Sequence, residues 1–270
     1  MIVAGISLLL GACNGRPQAS PPAAVFQLVQ QDSALAVYRK GSAEPLVVQN
    51  AKTGMRPYLH PIMAPDGRGS LTQYSPGHHK HQTGLYWGFT RVNGTGAPPD
   101  TLKKWFYRRD KPPHIKAMIG RDFFHFNGPT HWKRLALETG ESEGEQVSWK
   151  TVYHILDEDG QPIMEETQLW TLSQQGNKLL LDLEWQGKAL VDITINAFPY
   201  GGMFLRMPWR EGIAGQAVNA AGQRNQQAEG QRAEWVDVGM QIDGRDDWGH
   251  IAIFDHPQNN GHPLPWRVDG

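Results

Sequence analysis

Three stretches of the chain alternate apolar and polar side chains with period two, and this pattern constrains the fold more than any other feature. Val147, Trp149, Thr151, Tyr153 and Ile155 alternate with Ser148, Lys150, Val152 and His154. Leu179, Leu181, Leu183 and Trp185 alternate with Leu180, Asp182 and Glu184, and Val191, Ile193 and Ile195 with Asp192, Thr194 and Asn196. One apolar face at period two is the pattern of a half-buried antiparallel strand. Asp159-Gly160, Gln175-Gly176-Asn177 and Gln186-Gly187 read as hairpin-type connections, so the three stretches predict a meander. Further strands are expected over 25–30, 34–39, 45–49, 84–92, 132–139, 163–172, 234–242 and 248–255. No window sustains an i, i+3, i+4 apolar stripe over three turns, so helices are expected to be nearly absent. Segment 95–122 reads as loop, and 213–232 as a long loop with at most one helical turn that serves as a rim or lid. The expectation is an all-β chain, a single large antiparallel two-sheet β-sandwich over 25–270.

Charge narrows the function. There are 26 basic against 27 acidic residues, a net charge of −1, which carries no electrostatic footprint for nucleic acid. No run of 18 apolar residues exists, which excludes a multi-span membrane enzyme. Residues 1–12, MIVAGISLLLGA, read as a bacterial lipoprotein signal peptide ending in the lipobox Leu10-Gly11-Ala12-Cys13. Cleavage before Cys13 and lipidation of its sulfur would anchor the chain to a membrane of the cell envelope. No Lys or Arg precedes the apolar run. Residues 13–24, rich in Pro, Ala and Ser, read as a tether. Cys13 is the only cysteine, so the domain is expected to rest on core burial without disulfides.

Four clusters carry chemistry. Arg56-Pro57-Tyr58-Leu59-His60-Pro61 reads as a strand end or edge whose Arg56, Tyr58 and His60 share a face. Ser75-Pro76-Gly77-His78-His79-Lys80-His81 leads into the apolar run Leu85-Tyr86-Trp87. In an extended chain His79 and His81 share a face while His78 takes the other. Three readings of that pair stand open. It is the start of a divalent-metal site completed by His60 or His256, or a metal-free acid–base pair, or a polar loop bonded to backbone carbonyls. Phe254-Asp255-His256-Pro257 ends a strand, which projects His256 into a cleft; His262 reads as turn chemistry. Tyr200-Gly201-Gly202-Met203-Phe204-Leu205-Arg206 places Arg206 inside an apolar strand. A desolvated Arg there needs an acceptor, either a protein carboxylate or an anionic or hydroxyl-rich ligand. Trp87 and Trp266 are candidate flat faces for sugar rings, with Arg56 beside them as a further substrate contact.

These motifs resemble a bacterial family of otherwise unknown function, the PmoA family. The segments are RPYLHPI at 56–62, HHKHQTGLYWGFTRVNG at 78–94, FPYGGMFLR at 198–206, RAEWVD at 232–237 and FDHPQNNGHPLPW at 254–266. The resemblance implies a secreted protein or lipoprotein of polysaccharide-degrading bacteria, found beside sugar-processing proteins, with a β-sandwich like the galactose-mutarotase supersandwich. It does not imply methane oxidation, which the family's label suggests and which needs several membrane spans. Many members carry a further His and an Arg where this chain has Gln82 and Thr83, which shifts weight to His60 and His256 as metal partners. The family continues past the final Trp, so the chain is expected to lack a closing strand.

The leading expectation is a cell-envelope enzyme acting on a sugar or glycoside, of lyase, hydrolase or epimerase type. His60, His79, His81 and His256 would carry it with or without a divalent metal, Arg206 would bind oxyanion or hydroxyl groups, and Tyr58 would be the general acid. The alternative is a non-catalytic surface lipoprotein that binds oligosaccharide.

Overall fold

The computed structural model describes residues 24–77, 79–96, 99–106, 108, 110–125 and 131–268. The signal peptide, Cys13, the tether as far as residue 23, and His78 lie outside them. The chain is all-β, as the alternation requires. Six strands form one antiparallel sheet. Five are β1 (Phe26–Gln31), β2 (Ala34–Arg39), β3 (Pro45–Asn50), β4 (Tyr58–Ile62) and β5 (Leu85–Gly88). Then come β6 (Trp132–Glu143), β7 (Gln146–Leu156), β8 (Pro162–Gln175) and β9 (Lys178–Ala189), a four-stranded meander. The sixth strand, β10 (Gly202–Leu205), returns to the first sheet beside β5. A third sheet holds β11 (Gly215–Asn219), β12 (Trp235–Gln241) and β13 (Trp248–Phe254).

The first two sheets make the sandwich. Val147, Trp149, Tyr153 and Ile155 point inward from β7 and meet Phe26, Leu35, Val37 and Leu59 of the six-stranded sheet. Each such side chain contributes about 1.5–3 kcal/mol on burial. The meander is tightly joined: Gly176-Asn177 turns β8 into β9, and Gly176 takes a φ of +60° that favours glycine. Three indoles bring their N–H groups into this interior, and each finds a side-chain acceptor at 3.1 Å. Trp149 donates to Gln49, Trp170 to Gln168 and Trp185 to Glu166.

Four sequence expectations are corrected. Gln186-Gly187 is no turn but part of β9: a Cβ at 187 would stand 2.4 Å from the Trp185 ring, so the glycine makes room for that indole. Val191, Ile193 and Ile195 form no strand, and only Ile195 makes a bridge, to Val92. Val191 and Ile195 are half exposed, so this alternation lacks a sheet to join. Segment 95–122, read as loop, carries the short helices α1 (Pro99–Phe106) and α2 (Pro113–Ile119), which bury Leu102, Ile115 and Ile119 together. Each is too short to show three turns of stripe. Segment 213–232 supplies β11 and one 3₁₀ turn at Asn225–Gln227.

The third sheet sits against the β4–β5 connection through Ala64, Leu71, Met207, Met240 and Ile242. Arg245 fastens the same seam, donating to Asp66 at 2.6 Å, to Asp247 at 3.0 Å and to the Arg68 carbonyl at 2.8 Å.

Candidate functional site

Strand alternation divides β4, β5 and β10 into two faces. Leu59, Leu85 and Leu205 turn into the sandwich, so their neighbours turn out. Register then builds two rows across the outer face. Tyr58 pairs with Tyr86, and Tyr86 with Phe204. One step along, His60 lies opposite Gly84, and the Arg206 amide donates to the Gly84 carbonyl at 2.9 Å. Gly84 is required there: its φ is +76°, and a Cβ would come within 2.3 Å of the Leu59 carbonyl oxygen and 3.0 Å of the His60 Cβ.

His60 is held by Thr72, whose Oγ1 lies 2.9 Å from its Nδ1 and also accepts the Ile62 amide at 3.0 Å. The Tyr74 ring covers this corner, 5.8 Å from His60 and 5.6 Å from Tyr58, and is 45% exposed. Burial lowers the His60 pKa, which favours a neutral imidazole. Burial, then the neighbouring Tyr74, pushes the Tyr58 phenol well up, so it stays a proton donor.

The second group of imidazoles comes from loops. Residues 76–77 and 79–82 form turns rather than an extended run: His79 N donates to Pro76 O at 2.8 Å and Gln82 N to His79 O at 3.0 Å. The His79 and His81 rings still stand 5.8 Å apart. The third ring beside them is His125, 4.8 Å from His81. Asp122 orients it, accepting the His125 amide at 2.9 Å and lying 3.1 Å from its Nδ1. Tyr200 meets His125 edge to face at 5.1 Å, and the Arg267 guanidinium lies 4.5 Å above the Tyr200 ring. Thr90 ties the Tyr200 loop down through the Tyr200 carbonyl at 2.6 Å. Burial, then the positive charges of His125, Arg56 and His79, hold His81 at about 4 against the pull of Asp122.

Arg56 explains why these loops meet. It is 1% exposed, with its guanidinium 3.4 Å from the centre of the Tyr86 ring. One terminal nitrogen donates to the Phe124 carbonyl, one residue before His125, and the other to the carbonyl of His81. The second nitrogen also reaches Thr83 Oγ1 at 3.4 Å. Arg56 is therefore a buried clamp on the histidine loops, where the sequence suggested a substrate contact.

Other expected site residues stand elsewhere. Trp87 faces the interior, stacked on Trp185 at 5.0 Å, because it alternates with outward Tyr86. Trp266 anchors the chain end, its indole donating to the Ala233 carbonyl at 2.7 Å. His256 is exposed at the end of β13, where its Nδ1 accepts the Gln258 amide at 3.2 Å. Its neighbour Asp255 is the organiser of that loop, bonding Asn259, His262 and the Leu264 amide. Arg206 makes no ion pair with a carboxylate among the described residues; it donates to the Gln73 side-chain oxygen at 3.1 Å and the Trp209 carbonyl at 3.4 Å.

The structure thus unites Tyr58, His60 and Arg206 on one sheet face, and His79 and His81 beside His125. Sequence reasoning missed His125, Asp122 and Tyr74. The signal for the first two was the short spacing in Asp122-Phe123-Phe124-His125, which lets one carboxylate serve backbone and imidazole together. Among the described residues no three His, Cys, Asp or Glu side chains converge as a metal-holding set, and no helix is long and apolar enough to cross a membrane.

A family model described as a family of unknown function (DUF6807) matches residues 26–270. No curated protein and no solved structure matches the chain. The chain belongs to this family of unknown function.

Proposed function

We propose that this member of a family of unknown function is a cell-envelope enzyme acting on a sugar or glycoside, by lyase, hydrolase or epimerase chemistry, at the outer face of β4, β5 and β10. One observation carries the reading: imidazoles, a phenol and a guanidinium converge on a face that packing has fixed from behind. His81 against His125, with Asp122 orienting the latter, supplies a proton-handling pair. The raised Tyr58 phenol beside His60 supplies a donor. Arg206 supplies a cation for developing negative charge or for hydroxyl groups. The exposed Tyr74 ring offers a flat face for a sugar, the role expected of Trp87 and Trp266 from the sequence. The resemblance to the PmoA family supports the sugar, and the Leu10–Cys13 lipobox supports a lipid-anchored place in the bacterial envelope.

A divalent metal is the second way for the imidazoles to act. His79 and His81, with rings 5.8 Å apart, would be its first ligands, and no third described side chain converges with them as a metal-holding set. Elemental mass spectrometry on chain purified without a histidine tag distinguishes the two modes. About one metal per chain, lost in His81→Ala, assigns metal-assisted chemistry.

The test of the function is a panel of oligosaccharides followed chromatographically for product. Turnover is expected, falling at least about 100-fold in His81→Ala and in His125→Ala. Unchanged turnover in the double variant sinks the catalytic reading. The exposed Tyr74 ring also favours a second reading, glycan retention without chemistry; binding without product that survives both histidine changes would establish it.

A further inference from the structure

We infer that the sugar bound at this face carries a carboxylate and that Arg206 is its anchor. The inference rests on the sugar reading above and narrows its substrate class. Arg206 follows β10, in one row with His60 across side-chain-free Gly84, two strand spacings or about 10 Å away. That spacing leaves a sugar ring room between imidazole and guanidinium.

The charge around Arg206 is uncompensated. Among the described residues its acceptors are two neutral oxygens, from Gln73 and Trp209. Several arginines elsewhere meet carboxylates: Arg121 pairs with Glu158, Arg210 with Asp243, and Arg245 with Asp66 and Asp247. Among the described residues Arg39, Arg56, Arg91, Arg134 and Arg232 likewise bond only neutral oxygens, Arg56 and Arg91 from buried positions. Arg206 differs from them in its place, half-buried in the His60 row of the outer face.

A guanidinium has five N–H donors, and only two are engaged here. The remaining edge fits a planar carboxylate through two parallel bonds, a geometry a hydroxyl cannot fill. The wider field has the same sign. Arg56 stands on the same side of the sheet, its guanidinium over the Tyr86 ring, while Asp122 is occupied with His125 and the Phe124 amide. A face of that sign concentrates anions although the whole chain is nearly neutral. One forked cation suits a monoanion, which points to a uronate or aldonate unit.

The test is calorimetric binding to the full chain of matched oligosaccharides: oligouronates, the same oligomers with each carboxyl reduced to an alcohol, and an O-sulfated neutral oligomer. The acidic oligomer is expected to bind about ten-fold tighter than its reduced partner, a difference of about 1.4 kcal/mol. The preference should vanish in Arg206→Gln and survive, weakened, in Arg206→Lys, which keeps charge without the fork. Because the preference is a ratio within one protein, loss of folded material does not mimic it; if Arg206→Gln fails to fold, the Lys variant and the fall of the ratio with added salt decide. Equal binding of acidic and reduced oligomers, preference for the sulfated one, or a ratio untouched in Arg206→Gln overturns the inference. In those cases the sugar reading stands. Binding to none of the oligomers overturns both.

Discussion

The sandwich interior and the outer face of β4, β5 and β10 both hold polar groups among aromatic rings, and they satisfy them by opposite rules. In the interior, indole N–H groups meet side-chain acceptors of the same core, as Trp149 meets Gln49 and Trp185 meets Glu166. On the outer face, Arg56 donates to the carbonyls of the very loops that carry His81 and His125, and Arg206 keeps donors in reserve. Donors and acceptors spent on one another make a wall, although among the described residues the Trp87 indole and the Thr151 hydroxyl stay unpaired in it. A cation in surplus on a reachable face makes a site.

The largest effect expected from breaking the wall is at Trp149. Trp149→Ala empties a fully buried indole volume and leaves Gln49 Oε1 without its donor, at a cost of about 3–5 kcal/mol in urea unfolding. A loss below about 1 kcal/mol would mean that the two sheets do not depend on this contact.

Arg56→Met should rank next, because Arg56 belongs to both regions. It removes charged hydrogen bonds to two carbonyls, with an expected loss of about 3 kcal/mol. It also frees the His81 and His125 loops from each other, so turnover or ligand affinity should fall further than stability alone explains. Arg56→Lys cannot fork to both carbonyls and should recover stability only in part. A variant that loses stability but keeps the nuclear Overhauser contact between the His81 and His125 rings would show that the loops hold their own spacing.

Glu166 sharpens the comparison through pH. Its carboxyl lies wholly inside the sandwich, and burial raises its pKa above the usual carboxylate range despite donors from Gln168 and Trp185. The folded state therefore holds its proton more tightly than the unfolded chain. This contribution is fully present below the unfolded pKa of about 4.5 and is lost as pH rises through the raised folded value. Glu166→Gln keeps the acceptor oxygen without the ionisation. The wild type should lose urea stability between acid and neutral pH relative to this variant, and equal slopes would place the carboxyl in contact with water.

The same division shows in what the sequence made legible. Strands β7 and β9 could be read because one face of each is buried against a partner sheet and the other is wet, so period two survives. Val191, Ile193 and Ile195 carry the same period, yet no sheet receives them. Tyr58, His60 and Arg206 could be placed on a face because alternation and register decide it. His125 could not, because it reaches His81 through a carbonyl clamp at Arg56, far away in sequence. Trp87 and Arg56 look like ligand contacts by composition alone, and only the sense of the alternation and the depth of burial reveal them as wall and clamp.

The smallest stability effect is expected at His81, where it is also the most specific. Its imidazole is held at about 4 by burial and by the charges of His125, Arg56 and His79. The folded pKa is depressed below the ordinary 6.5, so the contribution of neutral His81 is complete above that value and fades as pH falls through 6.5 toward 4. His81→Asn should change stability at neutral pH by less than about 1 kcal/mol, since the ring is only partly buried. It should nonetheless flatten the acid limb of the unfolding curve. Histidine-selective NMR gives the direct reading: one imidazole titrating near 4 in the wild type and absent from the variant. A His81 midpoint near 6.5 would mean that the outer face is wetter and less positive than its geometry implies. The surplus charge there would then be screened by solvent before any ligand met it.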